Sequence, residues 1–141
     1  MANTIKVDIV SAESDIWAGV ATMVFAPAEM GEIGVAPRHA PLLTRLGSGE
    51  VRVQQENGDE LYFYVSGGII EVQPHHVTVL ADTAARAKDL DEAAALEAKQ
   101  RAESALADQA DAVDYAKAQA ELVEAIARLK MIENLRKRAK R

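Results

Sequence analysis

The chain has 141 residues, 49% of them hydrophobic, which is enough for one ordinary domain or for a small domain with an appendage. Its net charge of −6 argues against general nucleic-acid binding, and the lack of cysteine excludes disulfides, thiolate metal sites and a cysteine nucleophile. The first apolar run contains Lys6 and Asp8, and no long apolar segment follows. The sequence therefore predicts neither a signal peptide nor a membrane span.

The first part of the chain has the pattern of short β-strands. Ile5, Val7 and Ile9 alternate with Lys6 and Asp8, as in a strand with one buried face. Further strands are predicted over residues 16–25, 42–46, 51–55, 61–65, 69–73 and 77–80. Many short strands at regular spacing favour a sandwich or a barrel.

Glycine and proline residues predict where these strands end. Asn57-Gly58 is the strongest hairpin signal, because both residues tolerate positive φ. We also expect Gly19 to form a bulge or bend, Pro27 to end the second strand, and breaks at Gly47-Ser48-Gly49, Gly67-Gly68 and Gln73-Pro74.

Residues 31–43 contain two glycines and two prolines and are predicted to form an irregular surface loop that presents Glu32, Arg38 and His39. We interpret His39 as a contact residue and not a catalyst. His75 and His76 lie in a predicted turn without a nearby acid or cysteine, so no metal site is expected. No catalytic motif is found, and the chain is not predicted to be an enzyme.

Residues 89–141 contain neither proline nor glycine and predict two helices. Asp89 and Glu92 match a capping box that starts the first helix near Leu90. Asp111 or Asp114 is the expected N-cap of the second helix, before Tyr115. The predicted domains are residues 1–86 and 87–141.

The two helices are expected to pair through small side chains. The predicted stripe of the second helix is Tyr115, Ala118, Leu122, Ala125, Ile126, Leu129 and Ile132. The first helix offers mainly Ala93, Ala94, Ala98, Ala102 and Ala105, with Leu96 and Leu106 as its large apolar residues. Burial of one methylene contributes about 0.8 kcal/mol, so an alanine interface is weak. We predict that this hairpin opens at low cost.

The charge is distributed unevenly along the chain. Residues 1–86 hold eleven acids and five bases, whereas residues 128–141 hold seven bases and one acid. A basic helix end favours an acidic partner. The alternative is a solvated C-terminus whose cations complement the helix dipole.

Several segments together resemble the epsilon subunits of bacterial F-type ATP synthases. They are Gly31-Glu32-Ile33-Gly34, His39-Ala40-Pro41-Leu42-Leu43, Val65-Ser66-Gly67-Gly68-Ile69-Ile70-Glu71-Val72, Val77-Thr78-Val79-Leu80-Ala81-Asp82, Leu90-Asp91-Glu92-Ala93 and Asp114-Tyr115-Ala116. The resemblance covers essentially the whole chain. It implies an α+β multidomain fold, with an N-terminal β-sandwich of about ten strands followed by a C-terminal antiparallel two-helix hairpin.

The resemblance implies a non-catalytic subunit of the central stalk that couples proton flow through the c-ring to ATP synthesis. The β domain is expected to bind the gamma subunit and the c-ring, with Glu32 and His39 facing the ring's polar loops. The helices are expected either to fold on the β domain or to extend along gamma to the alpha and beta subunits, where they inhibit ATP hydrolysis. In the extended form Arg128, Lys130, Arg136, Lys137 and Arg138 would meet an acidic segment of beta.

Membership of this complex would place the chain at the cytoplasmic face of the cell inner membrane, which it would contact only through the complex. Some relatives also bind ATP on the hairpin. Asp91, Arg101 and Arg128 fit that pattern, but Ala94 stands where an arginine belongs, and Ala85 and Glu124 depart from it as well. We therefore expect weak ATP binding or none, and no other cofactor or metal.

Two other functions remain open at this point. One is a free-standing β-sandwich adaptor that recruits a partner through its helical hairpin, without gamma or ring subunits. The other is nucleic-acid binding by the basic C-terminal residues. The second has less support, because no aromatic stacking residues lie near them.

Overall fold

The computed structural model describes residues 3–90, 92–108 and 112–139. The chain divides into two compact units, Met1–Arg86 and Ala87–Arg141. The first is built from β-strands and the second from helices. This arrangement confirms the predicted α+β fold of a β-sandwich followed by two helices.

The described part of the first unit contains eight strands. They are β1 Ile5–Ser11, β2 Asp15–Ala21, β3 Met23–Ala28, β4 Gly31–Val35, β5 Leu42–Gln54, β6 Glu60–Gln73, β7 His76–Ala81 and β8 Ala84–Arg86. Their order in the sheet is β2-β1-β7-β6-β5-β3-β4, and β8 pairs with β6. β1 and β7 are parallel, and the other pairs are antiparallel.

The strand count differs from the expected ten because β5 and β6 are single long strands. The predicted breaks at Gly47-Ser48-Gly49 and Gly67-Gly68 are wrong, since pairing continues from Leu42↔Val72 to Gln54↔Glu60 with an irregularity only near these glycines. Gly67 and Gly68 have φ values of 110° and 123°. Glycine reaches such angles without a Cβ clash, so the two strands bend and serve both layers of the sandwich instead of ending.

Other predicted boundaries also change. Residues 16–25 are not one strand, because the chain leaves β2 after Ala21 and starts β3 at Met23. Pro27 does not end β3, and Gly19 stays in regular register with Val7, while the irregularity lies between Ile9 and Val10. Asn57-Gly58 does form the β5–β6 turn, with Gly58 at φ 88°.

Part of the predicted loop over residues 31–43 is the edge strand β4. Gly34 lies beside side chains of β3, since a Cβ on it would be 2.9 Å from the terminal methyl of Met23 and 3.3 Å from Phe25 Cε1. The local sequence does not reveal this proximity to the neighbouring strand.

Inward-facing aliphatic residues of both layers form one core. The alternation predicted for β1 is confirmed, since Ile5, Val7 and Ile9 are buried. They pack with inward residues of the other strands, among them Val24, Val35, Val51, Val53, Phe63, Val65, Ile70, Val72, Val77 and Val79. Burial of each such side chain stabilises the fold by about 1.5–3 kcal/mol before losses in chain entropy.

The second unit contains a short 3-10 turn at Ala87–Asp89 and two helices, α1 Glu92–Asp108 and α2 Ala112–Ala139. The predicted capping box is wrong, because Asp89 ends the 3-10 turn and α1 begins only at Glu92. The residue directly before α1, Asp91, lies outside the described residues. α2 begins at Ala112, so Asp114 lies in its first turn and is not its N-cap, while the alternative N-cap, Asp111, lies outside the described residues.

Candidate functional site

The proline loop, residues 36–41, is held by backbone hydrogen bonds. His39 N–H donates to Ala36 O over 3.2 Å and closes a turn, and Arg38 N–H donates to Pro74 O over 2.8 Å. Arg38 has φ 66°, the left-handed region that non-glycine residues seldom adopt. His39 is half-buried, with Nδ1 2.7 Å from Ala40 O. The loop is thus a shaped, fixed surface.

Glu32 and the tip of the β3–β4 hairpin form a second exposed feature. Glu32 lies on β4, in register with Pro27. Met30, at the tip, is 98% exposed. Within the described part of the chain, Glu32 and His39 share no hydrogen bond or ion pair, so the structure does not join these two predicted contact residues in one polar site.

Exposed apolar side chains on β5, β6 and β7, with the half-buried Val10 of β1 beside them, were not predicted as a site. Val10, Leu80 and Ile69 lie next to one another in register across β1, β7 and β6, on the outward side of the sheet. Leu80 and Ile69 are 47% and 43% exposed, and Leu43 on β5 is 69% exposed. The sequence signal was the pair of neighbouring apolar residues at 69–70 and 79–80, which puts an apolar residue on both faces of one strand. We call these residues the outer apolar face.

Apart from Met131, the almost completely buried side chains among the described residues of α1 and α2 are alanines. Ala95 and Ala102 on α1 and Ala118 and Ala125 on α2 are almost completely buried. Each pair is seven residues apart, so each defines one stripe, and an antiparallel hairpin sets Ala102 level with Ala118. The predicted set of buried helix positions was partly wrong, because Ala94 and Ala105 are exposed, as are Tyr115 and Ile126. Ala98, Leu122, Leu129 and Ile132 are half-buried, and the side chain of Ala93 is outside the described set.

Both predicted nucleotide-motif arginines line one groove of the hairpin. This groove, of about 320 Å³, is formed by Ala98, Arg101, Glu121, Glu124, Ala125 and Arg128. Arg128 Nη2 donates to Glu124 Oε1 over 2.6 Å, and both side chains are about one-third exposed. The groove therefore contains two carboxylates beside its two guanidinium groups, and one guanidinium is already paired. Asp91, the third motif residue, lies outside the described residues.

The predicted basic residues occupy the C-terminal part of α2. Arg136, Lys137 and Arg138 lie in its last turn, where cations complement the helix dipole. Lys130 is exposed. Lys137 pairs with Glu133 over 3.3 Å, but both side chains are about two-thirds exposed, so the pair contributes well under 1 kcal/mol and leaves the cation accessible.

The described residues form neither a metal-binding cluster nor a helix that could span a membrane. No group of three or more His, Cys, Asp or Glu residues is arranged to hold a metal ion among residues 3–90, 92–108 and 112–139. The prediction of a turn without a nearby acid is wrong for His76, which begins β7 and pairs through Nε2 with Asp8 Oδ2. In the same ranges, neither helix combines the length and the apolar character needed to cross a bilayer.

Comparison with known proteins identifies the class. Residues 4–87 match the family model of the ATP synthase delta/epsilon chain beta-sandwich domain, and residues 88–133 match the model of its long alpha-helix domain. The chain is 66% identical over 138 residues to the ATP synthase epsilon chain of Nitrosococcus oceani, covering 98% of this chain and 99% of that one. It is 68% identical over 139 residues to that of Alkalilimnicola ehrlichii, covering 99% of each.

Solved structures with the same fold also come from ATP synthases. A chain in the Euglena gracilis mitochondrial ATP synthase (OSCP/F1/c-ring, rotational state 1) has a TM-score of 0.80 at 18% identity, covering 90% of this chain and 80% of that one. A chain in the Tetrahymena thermophila mitochondrial enzyme (central stalk/c-ring) gives 0.60 at 12% identity, covering 91% and 96%. At these identities the likeness establishes the fold alone.

The chain therefore belongs to the family of ATP synthase delta/epsilon chains. Within that family its relatives are epsilon chains, which are central-stalk subunits of ATP synthase, and the resemblance in the sequence is confirmed. A free-standing adaptor is left without support, because the match extends over nearly the whole chain.

Proposed function

We propose that this chain is a non-catalytic stalk subunit that binds the gamma subunit and the c-ring through its sandwich and inhibits ATP hydrolysis through its hairpin. The single observation that carries the inhibitory part is the alanine interface between α1 and α2. Among the described helix residues, Ala95, Ala102, Ala118 and Ala125 bury one methyl group each, and Met131 is the one large side chain that is almost completely buried, so the apolar contribution to closing the hairpin is modest. A partner that offers a few kcal/mol of new contacts is enough to open it.

The outer apolar face is the surface that we assign to gamma. Leu43, Ile69 and Leu80 expose apolar area from three adjacent strands, and such patches on soluble proteins mark interaction sites. The sheet backbone beneath them is fully paired, so the surface is rigid and preorganised for docking. Glu32 and His39, on β4 and the proline loop, are the residues that we assign to the ring's polar loops.

The exposed side of the hairpin supplies the contacts of the extended form. Leu96, Tyr115, Val123 and Ile126 are each 43% to 54% exposed, and they offer an apolar surface to gamma and to the catalytic head. Arg128, Lys130, Arg136, Lys137 and Arg138 then provide the cations for an acidic segment of the beta subunit. Such charges mainly affect specificity and association rate.

We further propose that the hairpin does not bind ATP tightly. The Glu124 carboxylate already accepts a hydrogen bond from Arg128, and Glu121 lines the same groove. A polyphosphate would have to displace one carboxylate and approach another, which costs electrostatic free energy. Attachment through the ring would place the chain peripherally at the cytoplasmic face of the cell inner membrane.

Truncation of the chain before Asp114 tests the inhibitory role. This change removes most of α2 and leaves the sandwich core, which lies wholly in residues 5–81, intact. We expect the shortened chain to assemble with gamma and the ring and the complex to hydrolyse ATP faster than wild type. Unchanged hydrolysis in a fully assembled complex would argue against inhibition, and loss of assembly would argue against the assignment of docking to the sandwich.

A further inference from the structure

The β6–β7 turn collects cationic and ionisable side chains that the proposed contacts do not use. Arg38 N–H donates to Pro74 O over 2.8 Å, and Lys6 N–H donates to His75 O over 3.1 Å. Lys6 is also in register with His76 on β7. His39, the remaining one of the chain's three histidines, follows Arg38 directly. Two permanent cations, Lys6 and Arg38, are thus hydrogen-bonded through their backbones to the turn, and Asp8 pairs with His76 beside them.

Arg38 is held there in a strained backbone conformation. Pro37 and Arg38 are the central residues of the turn that His39 N–H closes on Ala36 O, and Arg38 has φ 66°. Pro followed by a residue at positive φ is the pattern of a type II turn, whose third position favours glycine or asparagine. A long β-carbon-bearing side chain is strained at this position, and strain that persists on an exposed residue points to a use for its side chain.

The Arg38 guanidinium is available to a partner. Arg38 is exposed, and within residues 3–90, 92–108 and 112–139 its side chain makes no hydrogen bond or ion pair. The acids of the adjacent strands have other contacts: Asp8 pairs with His76, and Glu71 lies 3.5 Å from Gln73 Nε2. Lys6 is exposed as well, so two permanent cations flank the turn.

We propose that Arg38 forms an ion pair with a carboxylate of the subunit that the proline loop meets, and that Lys6 and His75 extend this contact. The inference deepens the proposed function and depends on it. A protein carboxylate fits better than a lipid surface, because recognition of anionic lipid takes clusters of about 4–8 basic residues. Here only two permanent cations are present, on a chain with a net charge of −6.

Neutral and charged replacements of Arg38 test the ion pair in the full chain. Arg38→Asn removes the charge but suits positive φ, and Arg38→Lys keeps the charge. Lys117→Gln, on α2, is the matched control for loss of one exposed cation elsewhere. Binding of each variant to the assembled gamma and ring subunits is measured across a salt series, together with its thermal unfolding. Arg38→Gly, which also relieves the strain, serves as a second neutral variant.

We expect Arg38→Asn and Arg38→Gly to unfold no earlier than wild type and to bind about tenfold more weakly, with a flatter salt dependence. Arg38→Lys and Lys117→Gln should bind within about threefold of wild type. Unchanged affinity and salt dependence in both neutral variants would overturn the proposal. Binding of wild type to anionic lipid vesicles without the ring, lost in Arg38→Asn, would overturn the choice of a carboxylate. Failure of wild type to bind the gamma and ring subunits would instead contradict the proposed function.

Discussion

Gly68 shows how a single position allows the sandwich to form. It lies where β6 passes from one layer to the other, at φ 123°, and is paired with Ala81 of β7. A Cβ at this position would lie 2.1 Å from Leu80 O and 2.8 Å from Ala81 Cα. These are backbone atoms of a paired strand, so relief of the clash requires separation of β6 from β7.

We predict that Gly68→Ala lowers the free energy of unfolding by about 3 kcal/mol or more, because it adds a backbone clash to an unfavourable φ. Gly58→Ala is the matched control. Gly58 also has positive φ, but nothing lies within 4 Å of the added Cβ, so only about 1 kcal/mol should be lost. Urea unfolding of both variants measures the difference, and equal losses would show that the clash with β7 is relieved without cost.

At the scale of elements, the helical hairpin combines a weak interface between its helices with a groove in which acidic and basic side chains balance in number. Its buried positions are mostly alanines, and the groove beside Ala98 and Ala125 places Arg101 and Arg128 with Glu121 and Glu124. The ion pair between Glu124 and Arg128 lies within one helix, four residues apart, so it supports α2 without joining it to α1. The hairpin can therefore open without breaking this pair.

We predict that calorimetric titration of the full chain with ATP detects no tight binding, because Arg128 is already paired. Glu124→Arg should increase the affinity for ATP, since it removes that carboxylate and adds a cation to the groove. Glu103→Arg, which changes a carboxylate near Lys99 on the other side of α1, is the charge-matched control and should have no such effect. Tight binding by wild type would contradict the interpretation of the groove.

At the scale of the whole molecule, the proposed inhibition requires that the two helices separate. The native chain has no cysteine, so an engineered pair is the only possible disulfide. Ala102 and Ala118 are both almost completely buried, and an antiparallel hairpin with a short connection sets them level with each other. A bridge between these positions would keep the hairpin closed.

We predict that a chain carrying both Ala102→Cys and Ala118→Cys, once oxidised, still assembles into the complex but no longer inhibits ATP hydrolysis. Reduction of the disulfide should restore inhibition in the same sample, because it permits the helices to separate again. Each single-cysteine variant controls for the substitution alone. Inhibition that persists with the bridge formed would mean that a closed hairpin is itself inhibitory.

Prediction from sequence worked where the physical cause is local. Alternation of Ile5, Val7 and Ile9 with polar residues sets one buried face, and Asn57-Gly58 provides the backbone angles of the turn between β5 and β6. Prediction failed where glycine can either end a strand or bend a continuous one. Gly67 and Gly68 bend a continuous strand, and the same dipeptide at a strand end would look identical in the sequence.

The sequence also did not reveal the outer apolar face or which alanines are buried between the helices, because both depend on how elements pair. Ile69 and Leu80 become neighbours only through the pairing of β6 with β7. On α1, alanine occurs on several sides of the helix, so no single stripe is distinguished until α2 covers Ala95 and Ala102. The hydrogen bond from Arg38 N–H to Pro74 O likewise joins residues that are far apart in the sequence, so no local pattern indicates it.

The sequence by itself determined the class of fold, the change from strands to helices near residue 87, and membership of the ATP synthase delta/epsilon family, because periodicity, turn residues and family motifs are properties of neighbouring residues. The tertiary structure alone decided that two strands run unbroken through both layers, which alanines are buried in the hairpin, and that the backbones of Lys6 and Arg38 bond to the β6–β7 turn. Those features arise from strand register and helix packing, which bring together residues that are distant along the chain.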